Sequence, residues 1–111
     1  MPIVTVVMTR HAEMQSLLAA IADAIASVLE LGPGGVIARA MNASPGVGSG
    51  ITDTNSQPEW PIITIHGEGR GLEVISAARS AASSAFVHWA AENGFVYEGV
   101  WSEWTAPQPK V

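Results

Sequence analysis

The chain repeats itself, and this repeat restricts its possible folds more than any other feature of the 111-residue sequence. The segment PIVTV at residues 2–6 recurs as PIITI at residues 61–65, and an arginine follows each copy, at Arg10 and at Arg70. Both segments are rich in β-branched residues and begin with proline, which a strand tolerates at its first position. The repeat therefore predicts two similar halves, each of which opens with a β-strand.

An amphipathic helix is predicted after the first strand of each half. Apolar residues recur every three or four positions from Met14 to Leu29, which is typical of a helix with one buried face. With Thr9 as N-cap and the GPGG run at 32–35 as stop signal, the first helix is predicted over about residues 10–31. The second half repeats this pattern, and its Asn-Gly stop signal predicts a helix over about residues 71–93.

A further apolar segment follows each helix, at residues 36–41 and 95–101, and completes the pattern β-α-β, loop, β-α-β. Parallel strands that are joined by a helix have a right-handed connection. We therefore predict an α/β (α+β) fold, in which two tandem β-α-β units form one four-stranded mixed sheet with two helices on one face. The other face of this sheet would expose apolar residues, which predicts a homo-oligomer.

The chain length is that of one domain, so residues 1–111 are interpreted as a single domain. The repeat halves are expected at about residues 2–43 and 61–104. Residues 44–60, rich in Gly, Ser and Pro, are predicted to form a loop, and residues 105–111 to form a tail.

Composition disfavours several classes of function. The formal charge of -5 argues against nucleic acid and anionic membranes as partners, because both require clustered Lys and Arg. No run of apolar residues approaches the roughly 20 that span a bilayer. The absence of cysteine suits a reducing compartment, and the first residues lack signal-peptide features, so a cytoplasmic location is expected. The three histidines have no metal-ligand spacing, so neither a metal site nor a cofactor is predicted.

Three of the five basic residues stand where they could bind an anion. Arg10 and Arg70 lie at equivalent junctions between a strand and a helix, and Arg39 lies inside a predicted strand. A guanidinium is always charged and its planar fork matches a carboxylate, so these arginines suit a small carboxylate ligand if they converge near the strand ends. Ordinary ion pairs, for example of Arg10 with Glu13 or Glu68, are the alternative, and the sequence leaves both interpretations open.

Pro2 stands at the start of the first predicted strand. If Met1 is removed, Pro2 presents a secondary amine. An α-amino group has a pKa of about 7.7 to 8.0, and nearby arginines and burial lower this pKa toward the range of a general base. An ordinary strand start is the alternative interpretation of Pro2 when it is considered alone.

The joint order of these features resembles the tautomerase superfamily, in its long-subunit form with two β-α-β repeats and an amino-terminal proline. The resemblance consists of MPIVTV, an arginine that opens an amphipathic helix, a Gly-rich stop, a strand with an internal arginine, and a second copy that begins PIITIHGEGR. It covers about residues 2–104.

This resemblance implies a cofactor-independent isomerase that interconverts keto and enol forms of a small carboxylate-bearing substrate. It implies Pro2 as the general base or acid, and a homotrimer with pockets at the subunit boundaries. It further implies these substrate-binding residues: Arg10, Arg39 and Arg70, with Tyr97 and Trp101 on the last strand as an apolar wall. Simple packing at a subunit contact is the alternative role of the two aromatic residues.

Two other functions remain open at this point. A hydratase or dehalogenase of the same superfamily would use Pro2 as an acid and a late carboxylate, Glu98 or Glu103, to activate water. A non-catalytic ligand-binding or assembly module on the related ferredoxin-like topology would not need Pro2 at all.

Overall fold

The computed structural model describes residues 1–51 and 59–106, and within them two β-α-β units share one sheet. The elements are β1 (Ile3–Met8), α1 (Met14–Leu29), β2 (Ile37–Asn42), β3 (Ile62–His66), α2 (Leu72–Asn93) and β4 (Trp101–Thr105). The strand order is β2-β1-β3-β4, with β1 parallel to β2, β3 parallel to β4, and the central pair β1 and β3 antiparallel. The predicted four-stranded mixed sheet is confirmed.

The two halves are related by an approximate two-fold axis between the central strands. Thr5 of β1 pairs with Thr64 of β3, which occupies the equivalent place in the second half. The amide of Ile37 donates to the carbonyl oxygen of Pro2 at 3.2 Å, and the amide of Trp101 donates to that of Pro61 at 3.0 Å. Because β1 and β3 are antiparallel, Pro2 and Pro61 lie at opposite ends of the sheet, called here the Pro2 end and the Pro61 end.

Both helices cover the same face of the sheet, as predicted. β1 and β3 bury every second residue there, in keeping with the two-residue period of a strand, and these are Val4, Val6, Met8, Ile63 and Ile65. α1 contributes Leu17, Ile21, Ile25 and Leu29 to the core, and α2 contributes Ala78, Ala82, Phe86, Trp89 and Ala90. The three alanines of α2 are small, which lets the two helices pack closely against each other. No helix within residues 1–51 and 59–106 combines the length and apolar character needed to cross a membrane.

The prediction for the start of α1 was wrong by about four residues, because α1 begins at Met14. Glu13, not Thr9, occupies the N-cap position, and its side chain makes no capping hydrogen bond. Instead, the backbone amide of Glu13 donates to Nδ1 of His11 at 2.9 Å, and the His11 ring contacts Trp89 edge-on, with 4.8 Å between the ring centroids. These two interactions hold residues 10–13 in a turn.

The prediction for the last strand was also wrong, because β4 covers Trp101–Thr105 and not residues 95–101. The rings of Phe95 and Tyr97 pack against Phe86 in the core, with centroid distances of 6.0 and 5.0 Å. Residues 95–100 therefore cross the end of α2 before the chain reaches the sheet. Tyr97 precedes β4, and Thr105 belongs to β4 and not to the predicted tail. The prediction for α2 was accurate, and Gly94, with a φ of 62°, ends this helix.

Parts of the predicted loop and tail, residues 52–58 and 107–111, lie outside the described residues.

Candidate active site

Pro2 is buried at the start of β1, and Met1 before it has 69% of its surface exposed. Ile3 pairs with His66, the last residue of β3, so the turn at residues 67–71 that follows β3 lies at the Pro2 end. The amide of Gly67 in this turn donates to the carbonyl oxygen of Thr105 at 3.0 Å. Arg70 therefore belongs to the turn at the Pro2 end of the sheet, although Arg70 and Pro2 belong to different halves of the sequence.

Arg10 lies at the opposite end of the sheet from Pro2. β1 runs from the Pro2 end to the Pro61 end, and a strand advances about 3.3 Å per residue, so Arg10 is separated from Pro2 by roughly 20 Å. At the Pro61 end it lines an open pocket together with His11 and Asn42. Within one subunit the three arginines are spread along the sheet: Arg70 lies at the Pro2 end, Arg39 in the middle of β2 and Arg10 at the Pro61 end.

Arg39 and Glu103 lie on the sheet face away from the helices, called here the open face. Arg39 pairs with Thr5, Thr5 pairs with Thr64, and Thr64 pairs with Glu103. These four residues form a polar row across the whole sheet, with Arg39 on one edge strand and Glu103 on the other. The Oγ1 hydroxyl of Thr64 donates to Oε1 of Glu103 at 2.9 Å, which fixes the position of this carboxylate.

The rest of the open face is largely apolar. Ile37, Met41, Ile62 and Trp101 have 46, 61, 41 and 65% of their surfaces exposed. Trp101 pairs with Ile62 at the Pro61 end, and its ring contacts Trp60 edge-on at a centroid distance of 6.1 Å. Because Tyr97 packs in the core, neither predicted aromatic residue lies beside Pro2 of the same subunit.

Two further side chains at the Pro2 end were not predicted as site residues. His66 is exposed on the open face and pairs with Ile3, the residue next to Pro2. Trp104 packs on the helix side against Gly67, and its buried indole N–H has no hydrogen-bond partner among the described residues. The sequence does contain a signal for His66, because this residue directly follows the second copy of the repeat, PIITI, and begins the segment HGEGR. No sequence pattern points to Trp104, since its contact with Gly67 depends on the pairing of β3 with β4.

We expect Gly67→Ala to destabilise this corner of the protein. A Cβ at residue 67 would lie 2.6 Å from Cζ2 of Trp104, so the indole ring or the turn would have to shift. Such overpacking lowers the free energy of unfolding by about 1–3 kcal/mol. Urea denaturation would measure the change. Gly69→Ala, in the same turn but with no heavy atom within 4 Å of its Cβ, is the matched control. Equal free energies of unfolding for the two variants would contradict a tight contact at Gly67.

The charged residues form few ion pairs. Within residues 1–51 and 59–106 the close contact found between a basic and an acidic side chain joins Nε2 of His88 to Oε1 of Glu92, on the outer surface of α2, so Arg10 pairs with neither Glu13 nor Glu68. Arg79 holds α2 to β4, because its Nε donates to the carbonyl oxygen of Ser102 at 2.9 Å. No group of three or more His, Asp or Glu in the described part of the chain is arranged to hold a metal ion.

No protein-family model and no curated protein matches the sequence. Comparison with solved structures, in contrast, gives clear matches across nearly the whole chain. A 5-carboxymethyl-2-hydroxymuconate delta-isomerase is similar with a TM-score of 0.75 and 16% identity, over 98% of this chain and 84% of that one. A fused 4-OT that forms a symmetric trimer has a TM-score of 0.72 and 17% identity, over 95 and 85% of the two chains. A malonate semialdehyde decarboxylase with decarboxylase and hydratase activities has a TM-score of 0.68 and 14% identity, over 96 and 84%.

The TM-scores show that these three proteins share their fold with this chain, and identities of 14 to 17% leave the reaction open. The chain therefore has the fold of the tautomerase superfamily, with both β-α-β units in one subunit.

Proposed function

We propose that the protein is a cofactor-independent isomerase of the tautomerase type, which interconverts keto and enol forms of a small carboxylate-bearing substrate. The observation that carries this proposal is the position of Arg70 at the Pro2 end of the sheet. With Met1 removed, Pro2 would supply an amine that accepts protons, and Arg70, in the turn at the same end of the sheet, would supply a permanent cation for a carboxylate; isomerases have the same fold.

The Pro2 nitrogen and the Arg70 guanidinium have different roles in the proposed keto-enol conversion. After removal of Met1, the Pro2 nitrogen takes a proton from one position of the substrate and returns a proton to another, so no external oxidant or reductant is needed. Arg70 binds the carboxylate or stabilises the negative charge that develops on the neighbouring oxygen during this transfer. Proline at position 2 is a small residue, of the kind that generally permits removal of the preceding Met.

We propose a homo-oligomer, as a trimer, for the working assembly. The exposed apolar side chains of the open face would be covered by neighbouring copies, and a solved structure of the same fold is a symmetric trimer. In this assembly Arg39 and Trp101 lie at contacts between subunits, where they reach the pocket of a neighbour or pack between copies. The proposed location is the cytoplasm, as the composition predicts.

Arg70→Gln is expected to lower kcat/KM for ketonisation by about 100-fold, because it removes a cation from the developing oxyanion. Arg10→Gln is the matched control, since Arg10 has the equivalent position in the other half and lies at the Pro61 end. Its kcat/KM should stay within about threefold of the wild-type value, as for a surface change away from the site. Absorbance of a small enol carboxylate would follow both rates. Similar losses in the two variants would refute the assignment of Arg70 to the Pro2 site.

Hydration or dehalogenation of an unsaturated acid is the second candidate, and the position of Glu103 favours it. The Thr64 hydroxyl orients this carboxylate on the open face, as a base that activates water would require. Glu98, the other candidate carboxylate, is exposed in the segment before β4, where the backbone amide of Glu98 donates to the carbonyl oxygen of Glu59. If Glu103→Gln abolishes turnover of a 3-halo or alkynyl acid and leaves ketonisation unchanged, hydration becomes the better description.

A further inference from the structure

The open face carries opposite charges on its two edge strands. Arg39 stands in the middle of β2 and Glu103 in the middle of β4, and the pairing places both in the same row of the sheet. The approximate two-fold axis relates these two positions, so the repeat has an arginine in one half where it has a glutamate in the other. Among residues 1–51 and 59–106, Arg39 forms no ion pair with its own chain.

This arrangement distinguishes between the ways in which two copies can meet along their edges. A contact of β2 with β2 would place Arg39 against a second Arg39, and a contact of β4 with β4 would place two Glu103 carboxylates together. Like charges directly opposite each other destabilise a strand contact, whereas opposite charges stabilise it. A contact of β2 with β4 is the arrangement in which the polar row continues with alternating charge from one copy to the next.

The apolar residues on the open face support the same arrangement. Ile37 and Met41 flank Arg39 on β2, and Trp101 lies on β4 two residues from Glu103, so each edge combines a charge with exposed apolar surface. An interface of this kind, apolar with one matched pair of charges, has the composition of a contact between subunits. Since the β2 edge is used by one copy and the β4 edge by the next, the contact is head to tail, the type of contact from which a closed ring such as the proposed trimer is built.

We propose that copies of this chain join head to tail, with Arg39 on the β2 edge of one copy paired with the partner's Glu103 on the β4 edge. This inference rests on the proposed assembly and adds the direction of its contacts. It also changes the role of two residues: Arg39 joins subunits and does not bind substrate, and Glu103 is occupied by this ion pair and does not activate water.

Charge exchange tests the pairing. Size-exclusion chromatography with light scattering would give the assembly mass over a dilution series for the wild type, Arg39→Glu, Glu103→Arg and the double exchange. In each single variant every contact of the ring joins like charges, so the midpoint concentration for assembly should rise by about tenfold or more. The double variant restores opposite charges, and its midpoint should return to within about threefold of the wild type.

Salt gives a second readout that misfolding would not reproduce. Raising the NaCl concentration screens repulsion, so it should strengthen assembly of the single variants and weaken that of the wild type. Arg10→Glu makes the same charge change on an exposed turn and should assemble as the wild type does. If a single exchange prevents folding, as seen by circular dichroism, the milder Arg39→Gln and Glu103→Gln variants take its place and should raise the midpoint less.

Each outcome decides a different claim. A wild-type protein that stays monomeric at all concentrations refutes the assembly itself. An assembled wild type with unchanged assembly in Arg39→Glu, or a folded double variant that does not reassemble, refutes the pairing of Arg39 with Glu103 and leaves the proposed assembly intact.

Discussion

Replacing Pro2 by alanine is expected to lower kcat/KM for the ketonisation of a small enol carboxylate by about 100-fold or more, the effect of a positioned general base. Alanine substitutes a freely rotating primary amine for a ring amine that the fold holds at the start of β1, where Pro2 is buried. Absorbance assays of untagged wild type and variant, with intact mass to establish that both have lost Met1, would measure the effect.

Pro61→Ala is the control for this experiment. Pro61 starts the equivalent strand and is also buried, but its nitrogen is an amide and accepts no proton. Its variant should keep kcat/KM per folded molecule within about threefold of the wild-type value. A Pro2→Ala protein with the same activity as Pro61→Ala would show that Pro2 serves only as a strand start. Protein that retains Met1 should be inactive for the same chemical reason, because its Pro2 nitrogen is also an amide.

The largest expected loss of stability is that of Phe86→Ala. Phe86 is fully buried in α2 and its ring contacts those of Trp89, Phe95 and Tyr97, so its removal leaves a cavity under the segment that leads to β4. Such a change lowers the free energy of unfolding by about 3–5 kcal/mol. This is a large share of the roughly 5–15 kcal/mol by which a domain is stable. Denaturation in urea, followed by tryptophan fluorescence, would measure it.

Val87→Ala, at the next residue of the same helix, is the control that separates loss of core packing from the change in helix propensity, which alanine raises at both positions. Val87 has 45% of its surface exposed, so its truncation should change the free energy of unfolding by about 0.5 kcal/mol or less. If the two variants differ by less than about 1 kcal/mol, the aromatic cluster around Phe86 does not support the fold as described.

The repeat was sufficient to predict the sheet and its helices, because strand and helix patterns are local and occur twice in the sequence. The start of α1 was not predictable in this way, since it depends on the contact of His11 with Trp89, which joins residues 78 positions apart. The position of β4 depends similarly on Phe95 and Tyr97 packing against Phe86. In both cases a tertiary contact between aromatic rings overrode the local pattern.

The candidate site was predicted less well than the fold. Pro2 and the arginines are visible in the sequence, but their grouping follows from the antiparallel pairing of β1 with β3. This pairing brings the turn that contains Arg70 to the Pro2 end and places Arg10 at the far end of the sheet. Arg10 and Arg70 have equivalent positions in the two halves but lie at opposite ends of the sheet. The similarity of the two halves in sequence does not show this difference.

The internal position of Pro61 has a consequence for stoichiometry. Each chain has two similar sheet ends, but Pro2 alone of the two prolines becomes an amine when Met1 is removed, so the proposed ring of three chains would hold three reactive amines. An electrophile directed at this amine should therefore label one equivalent per subunit, and wild-type subunits mixed with Pro2→Ala subunits should lose activity in proportion to the blocked fraction. In the proposed mechanism the Pro61 end, with Arg10, His11 and Asn42, takes no part in proton transfer, so substitutions there should leave the reaction intact.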